Sequence, residues 1–559
     1  MREWMRETHG AFFELLRHFL GRFFDSELIT SPGHASAALI AVVSLCLPWF
    51  QVLIGPLRQK YVHLASLPVP GPYREAVRGD ELWLLTLMMS LIGLLTAFRW
   101  QALFPDLRDY RALGALPLRA RQIFAAKLAA LLIVAAAALM LLNAIPSTGF
   151  PVLSAGRWAF HGARVRAYAT ASVAACAFSF FGLVALQGVL LNLLRPRAFG
   201  RVTGSVQGLL VGLTLGMAVL SFSIQPQFTN AALRPEWSRW LPPVWFLGLC
   251  QNWSGDPDPA MRALGDRAII GLLAATTLAL LTYLVSYQRH RALLLESPAG
   301  PARDRHPRLI LDRLLPDARQ QGVVVFMLQT LTRSSHHRMI VMGYGGLALA
   351  AVLNGLPGLG SFVTRDRVVT GGFLYFHLLG LLFLLIGARH LFSLPVELKA
   401  NWLFQITEAE GRAAWLQAVD RFVLFWAALL FLLPLALEIR WLGWRGIAEP
   451  VLLSAVGLLA FHCFFASWNK LPFTCSHLPG KTPGWILALQ FFGVITLVPV
   501  LQAVLLAALY SRIAYPVVLA ALIFAWTHAR AARREGRTDL RLKYEELADP
   551  AIHGLNLLR

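Results

Sequence analysis

An all-α polytopic membrane protein is the fold class this sequence predicts, and three observations predict it. About twelve long apolar runs recur along the chain, nearly all reaching or approaching the ~20 residues an α-helix needs to cross a bilayer. Hydrophobic residues make up 57% of the 559 residues and charged residues only 14%, where a soluble domain carries about 25% charged residues. The Lys and Arg sit mainly between the apolar runs, as membrane orientation requires. Together these predict about 12 transmembrane helices in two six-helix halves, each preceded by an interfacial amphipathic helix.

The chain opens on AFFELLRHFLGRFFDS (11–26). Phe12, Leu15, Leu16, Phe19, Leu20 and Phe23 fall at helical spacing, with Glu14, Arg17, His18 and Arg22 elsewhere on the wheel. That is a helix suited to lie in the membrane interface. No signal-peptide pattern precedes it, because the first apolar run begins near Ser36. The first six runs cover roughly 36–54, 82–98, 124–145, 167–194, 203–224 and 267–288. A linker over 289–320, rich in Arg, Pro and Asp, is too polar to span. VVVFMLQTLTRSSHHR (323–338) then takes the place of the opening helix. Six further runs follow, roughly 339–356, 371–388, 421–438, 449–468, 485–509 and 514–529, the last two as a tight hairpin. The resulting divisions are a first half (1–290), a cytoplasmic linker (291–320), a second half (321–529) and a basic tail (530–559).

With the N-terminus inside, about 35 Lys/Arg fall on the cytoplasmic side and about 16 outside. Both termini are therefore expected in the cytoplasm. The net charge of +21 follows this orientation bias and forms no basic stripe interleaved with aromatics, so nucleic acid is not an expected partner. Cys46, Cys176, Cys250, Cys463 and Cys475 are scattered and make no CxxC, which is not a disulfide framework.

The halves share a second correspondence. FRWQALFPDLRDYRALGALPLRARQIFAAK (98–127) and RHLFSLPVELKANWLFQITEAEGRAAWLQAVDR (389–421) both leave a second span, meet a Pro near an acid, form a short helix and open the next span on a basic residue. Two parallel six-helix repeats are the simplest account.

At these residues the chain resembles the permease subunits of ATP-binding-cassette exporters of the ABC-2 type. The opening helix, the 98–127 segment and SRWLPPVWFLGL (238–249) before the sixth span carry the resemblance. It covers most of residues 1–290 and, more weakly, 320–470. Fusion of two halves, and the missing long outer loop before the last span, depart from the family pattern. The resemblance implies an integral cytoplasmic (inner) membrane protein that binds no cofactor itself. A separate cytoplasmic ABC ATPase would bind ATP and Mg. It would drive alternating access along a pathway bounded by spans one, two and five of each half. The permease would act as a monomer or homodimer among membrane lipids.

The resemblance also assigns roles to residues. Pro105, Asp106, Arg108, Asp109, Arg111, Arg119 and Arg121 become the coupling surface of the first half, with Pro395, Glu397 and Glu408 in the second. The same arginines also read as a solvated loop obeying the positive-inside rule. Pro242, Pro243, Trp245 and Phe246 become an outer gate, and read equally as an interfacial aromatic belt. Phe12, Leu16, Phe19 and Phe23 form the interfacial helix.

Other chemistry finds little footing. Gly480-Lys481-Thr482 lacks the first glycine of a phosphate loop, Cys475 standing there, so ATP hydrolysis has no site in the chain. His462, Cys463, Cys475 and His477 match no zinc module, and His336-His337 reads as a solvated pair. No G-x-S-x-G or H-E-x-x-H occurs. The span interiors, as delimited, hold no Asp, Glu, Lys or Arg at mid-membrane, His377 being the main titratable group. That disfavours an ion-coupled carrier. A membrane enzyme acting on lipid or lipid-linked substrate is the remaining alternative of another class, with Arg157, Arg164, Arg166, Arg234 and Arg239 as its outer polar residues. A scaffold that only recruits partners is the third.

Overall fold

The computed structural model describes residues 10, 12–21, 55, 57–66, 71–104, 120–154, 162–194, 196–221, 239–255, 258–295, 315, 317–334, 337–348, 366–396, 401–432, 435, 439–440, 443–466, 468, 470–474, 498, 500–538 and 542. Among them there is no strand, and seven helices are long and apolar enough to cross a membrane. The chain divides into two compact units, Met1–Gly300 and Pro301–Arg559, each with its own apolar core.

The first unit comprises α1 (12–21), α2 (Arg58–Ala65), α3 (Gly71–Phe98), α4 (Ala120–Leu153), α5 (Gly162–Leu193), α6 (Pro196–Ser221), α7 (Pro242–Trp253) and α8 (Pro259–Leu295). The amphipathic pattern of α1 is realised in packing. Leu15 and Phe19 are buried in the core, Phe12 and Leu16 pack against it, and Lys127 Nζ of α4 lies 4.8 Å over the Phe19 ring. A cation held over an aromatic face contributes about 0.5–2 kcal/mol, so α1 is rooted on the start of α4. Pro242 and Pro243 open α7, where a missing N–H costs nothing and the fixed φ favours the first turn. α4 carries Pro146 and Pro151 within its last turns.

The second unit comprises α9 (Ala318–Arg333), α10 (337–348), α11 (Asp366–Ser393), α12 (Asn401–Leu432), α13 (Arg445–Phe464), α14 (Val500–Leu509) and α15 (Ala514–Thr538). Asp317 caps α9, its side chain accepting from the Arg319 amide at 2.9 Å. This cap sets the helix five residues earlier than the 323 start read from the apolar pattern. Gly387 lets α11 come against the Tyr344 ring of α10, 2.6 Å from where a Cβ would stand.

Neighbour relations recur between the units. In the first, α3 packs on α4 and α5, α4 on α5, and α5 on α8. In the second, α11 packs on α12 and α13, α12 on α13, and α13 on α15. The amphipathic α9 packs on α12, as α1 does on α4. Both units also leave apolar surface uncovered. Ile270, Leu273, Leu281 and Leu284 of α8, and Val517, Ile523 and Phe524 of α15, are exposed. Surface of that kind and extent needs lipid or another apolar phase.

Three expectations are corrected. The second span begins not at 82 but at Tyr73, so Asp80 and Glu81 lie inside a helix that can span. Buried Lys127 and Glu449 likewise lie in the first turns of their helices, so charge is buried toward the ends of the spans. Residues 401–416 form no separate short helix. They are the first turns of α12, which runs unbroken to Leu432 with no proline to interrupt it. His337 is not a solvated residue. It is buried, with Nδ1 2.7 Å from the Ser334 hydroxyl and Nε2 3.2 Å from the Leu394 carbonyl. The tight hairpin before the last helix is present, α14 and α15 being joined at Tyr510–Ile513.

Candidate functional site

The starts of α3 and α5, the end of α4 and the last turn of α7 meet at one end of the first unit, while the start of α7 reaches Phe178 midway along α5. Tyr73 donates from its hydroxyl to the Ser154 carbonyl at 2.6 Å, tying the start of α3 to the end of α4. Two adjacent acids then face different neighbours. Asp80 takes both oxygens to Lys60 Nζ at 2.8 Å and accepts from the Tyr61 hydroxyl at 2.7 Å. Glu81 lies 3.7 Å from Arg164 of α5 and accepts from Gln251 Nε2 of α7. One turn of α3 thereby binds α2, α5 and α7. The side chains of Asp80 and Glu81 are 1% and 4% exposed, so these charges are compensated by partners rather than by water. Burial first, and the Asp80 carboxylate second, hold the Tyr61 phenol well above its ordinary pKa, which keeps it a donor.

Beneath this network, α7 presses onto α8. A Cβ at Gly248 would stand 2.8 Å from the Met261 carbonyl oxygen and 2.9 Å from the Gly265 amide nitrogen. Pro243 and Phe246 are buried, while Trp245 is half-buried and its indole N–H donates to the Arg239 carbonyl at 2.8 Å. Pro242, Pro243, Trp245 and Phe246 therefore sit together on one short helix. At the unit's opposite end, Gln187 Nε2 donates to the Trp100 carbonyl at 2.9 Å and Gln207 Nε2 to that of Ala97 at 3.0 Å. Asn192 likewise donates to the carbonyls of Gly188 and Thr282.

The second unit places a buried acid and base on the corresponding helices. His377 Nδ1 of α11 lies 3.7 Å from Glu449 Oε1 of α13, the two side chains being 2% and 0% exposed. In the first unit the acid is on α3 and the base on α5. In the second the base is on α11 and the acid on α13. Arg445 lies 4.1 Å over the Tyr510 ring, and Tyr515 donates to the Ala448 carbonyl at 3.1 Å, closing α15 on the start of α13. A double-mutant cycle on His377→Ala and Glu449→Ala, read from detergent unfolding curves, is expected to give a coupling of about 1 kcal/mol or more. Strict additivity would mean that the two side chains are merely near each other.

These couples can latch one end of each helix set. Among the coupling residues, Pro395 is half-buried at a bend where Val396 N donates to the Phe473 carbonyl at 3.2 Å and Phe473 N to that of Phe392 at 2.9 Å. Pro105, Asp106, Arg108, Asp109, Arg111, Arg119 and Glu397 lie outside the described residues, as do Phe23 and the side chains of Arg121 and Glu408. The sequence reading passed over Asp80, Glu81, Gln251 and Glu449. The signal was there for α3, because Tyr73, Val77, Asp80 and Leu84 keep helical phase ahead of the apolar run. No protein-family model, curated protein or solved structure matches the chain.

Proposed function

We propose that the chain is the permease subunit of an ABC-type exporter, twelve spans in two halves, driven by a separate cytoplasmic ATPase. The observation that supports this reading best is the recurrence of helix neighbours in the two units, with an amphipathic helix docked on α4 in the first and on α12 in the second. In the first unit that helix, α4, follows directly on the charged stretch 104–119. A push on this stretch enters α4 and reaches the network at Ser154 and Tyr73. With the termini inside, that network lies at the outer end, where the Glu81 and Glu449 couples hold the bundle shut until ATP binding rocks the helices. The short α7 fits an outer gate element.

The test is co-purification in mild detergent with an ABC ATPase encoded beside this chain. Asp106→Arg with Asp109→Arg is expected to lower recovered ATPase about tenfold or more, since like charges set against a docking face oppose association. Its unfolding temperature should stay at the wild-type value. ATPase that never associates, under any nucleotide condition, would reject the reading.

One observation favours a second reading. Buried acid–base couples inside spanning helices are what ion-coupled carriers use. That reading expects substrate flux in vesicles to follow a proton gradient with no ATPase present.

A further inference from the structure

The second unit holds a cavity of about 950 Å³ between α12, α13 and α15. Part of its lining is apolar, including Leu424, Leu458 and Trp526. Its other wall is basic. Arg412 and Arg421 reach it from α12, and Arg530, Arg533 and Arg534 from α15, whereas Asp420 is the one carboxylate among the lining residues. That carboxylate is already engaged, because Arg533 donates to Asp420 Oδ1 at 2.9 Å. Arg533 also lies 3.3 Å from His462 Nδ1 and 4.8 Å over the Phe461 ring, which fixes it as a buried wall rather than a side chain reaching for water. Arg421 is spent on a neutral partner, donating to Gln320 Oε1 at 2.7 Å, and Arg530 stacks on Trp526 at 5.4 Å. Among the described residues neither Arg530 nor Arg534 has a carboxylate partner.

Arginines that only orient a membrane protein splay outward into water or headgroups. Here five line one open cavity from two helices, Arg421, Arg530 and Arg534 remaining exposed and so accessible to a ligand, and a counter-charge placed among them relieves their mutual repulsion. The volume is in the range of about 300–1,000 Å³ that small-molecule sites occupy. Guanidinium groups match phosphate oxygens in paired, planar hydrogen bonds.

We propose that this cavity binds a phosphate-bearing group, a phosphomonoester or diphosphate, with the apolar remainder of the ligand against Leu424, Leu458 and Trp526. The exposed apolar face of α15, at Val517, Ile523 and Phe524, gives an acyl chain a path along the same helix. A lipid headgroup and a soluble phosphate compound share the chemistry, and the test separates them.

Full-length chain in detergent would be titrated with dioctanoyl phosphatidate, dioctanoylglycerol and sodium pyrophosphate, following binding by thermophoresis. Phosphatidate is expected to bind saturably and dioctanoylglycerol not to. Arg530→Gln with Arg534→Gln is expected to weaken phosphatidate about tenfold or more, from the loss of charge-assisted hydrogen bonds. Pyrophosphate that binds and displaces phosphatidate identifies a soluble phosphate ligand, and pyrophosphate that does neither identifies a lipid. Should the double variant fail to fold, phenylglyoxal labelling of the wild type reads the same site, phosphatidate protecting Arg530 and Arg534 from modification. Equal binding by the variant, equal binding of dioctanoylglycerol, or absence of both binding and protection with every phosphate probe overturns the proposal. No ATPase enters the assay, so its outcome is independent of the exporter reading.

Discussion

Replacing Gly248 by Leu is expected to unseat α7 from α8 and to cost about 3 kcal/mol or more, at the upper end of what overpacking costs. The contact is between backbones. An added Cβ would stand 2.5 Å from Leu264 Cβ and within 3 Å of the Met261 carbonyl oxygen and the Gly265 amide nitrogen. None of those backbone atoms can move without bending α8, a helix of 37 residues packed on α5 along its length. Small residues at such crossings are what let helices associate where apolar burial gives little preference for protein over lipid. The facing glycine supplies an internal standard. A Cβ at Gly265 would stand 3.2 Å from Leu249 Cα, tight but short of a collision. Gly248→Ala should therefore lower the unfolding temperature more than Gly265→Ala, with Gly248→Leu lowest. Fluorescence-detected size exclusion after heating ranks the three. A Gly248→Leu protein as heat-stable as the wild type would mean that α7 does not sit on α8 in this way.

Asp80→Ala is expected to be the second large loss, about 2 kcal/mol, because it leaves the buried Tyr61 hydroxyl without its acceptor and the quarter-exposed Lys60 without its carboxylate. Lys60 and the Tyr61 hydroxyl both depend on that carboxylate, which ties α2 to α3. Asp80→Asn keeps an acceptor for Tyr61 and loses only the charge, so it should fall between wild type and Asp80→Ala. Protease sensitivity within 57–66, followed with the unfolding temperature, distinguishes local release of α2 from global loss. Unchanged sensitivity in both variants would show that the couple is ornamental to the fold.

Much of this architecture could be read from the chain because bilayer and helix impose strong periodicities. Residues 124–145 and 167–194 announce α4 and α5 by length and apolarity, and α1 announces itself by Phe12, Leu15, Leu16 and Phe19 on one face. Hydropathy failed where polar side chains are buried against each other. It halted the second span at 82, since Asp80 and Glu81 look like loop residues until Lys60, Arg164 and Gln251 are seen beside them. Those partners lie 20, 83 and 170 positions away in the chain, beyond the reach of local pattern. The basic cavity was hidden for the same reason. Arg412 and Arg421 read as the inner border of one span and Arg530, Arg533 and Arg534 as a basic tail, and only the crossing of α12 and α15 makes them one surface. His337 was misjudged because the Ser334 and Leu394 groups that satisfy it are supplied by a turn and by the end of a different helix.

The opposed polarity of the two acid–base couples bears on how such a chain reaches its native state. Two helix sets with the same neighbour preferences, synthesised in succession, can trade members while the second is still entering the bilayer. A helix α11 settling against α5 would bring His377 to Arg164, two bases with no acid between them. A helix α3 settling against α13 would bring Glu81 to Glu449, two carboxylates in a medium that penalises even one. Each wrong exchange sets two bases or two acids together, whereas each right one sets an acid beside a base. The couples thereby favour each helix within its own set over an exchanged partner.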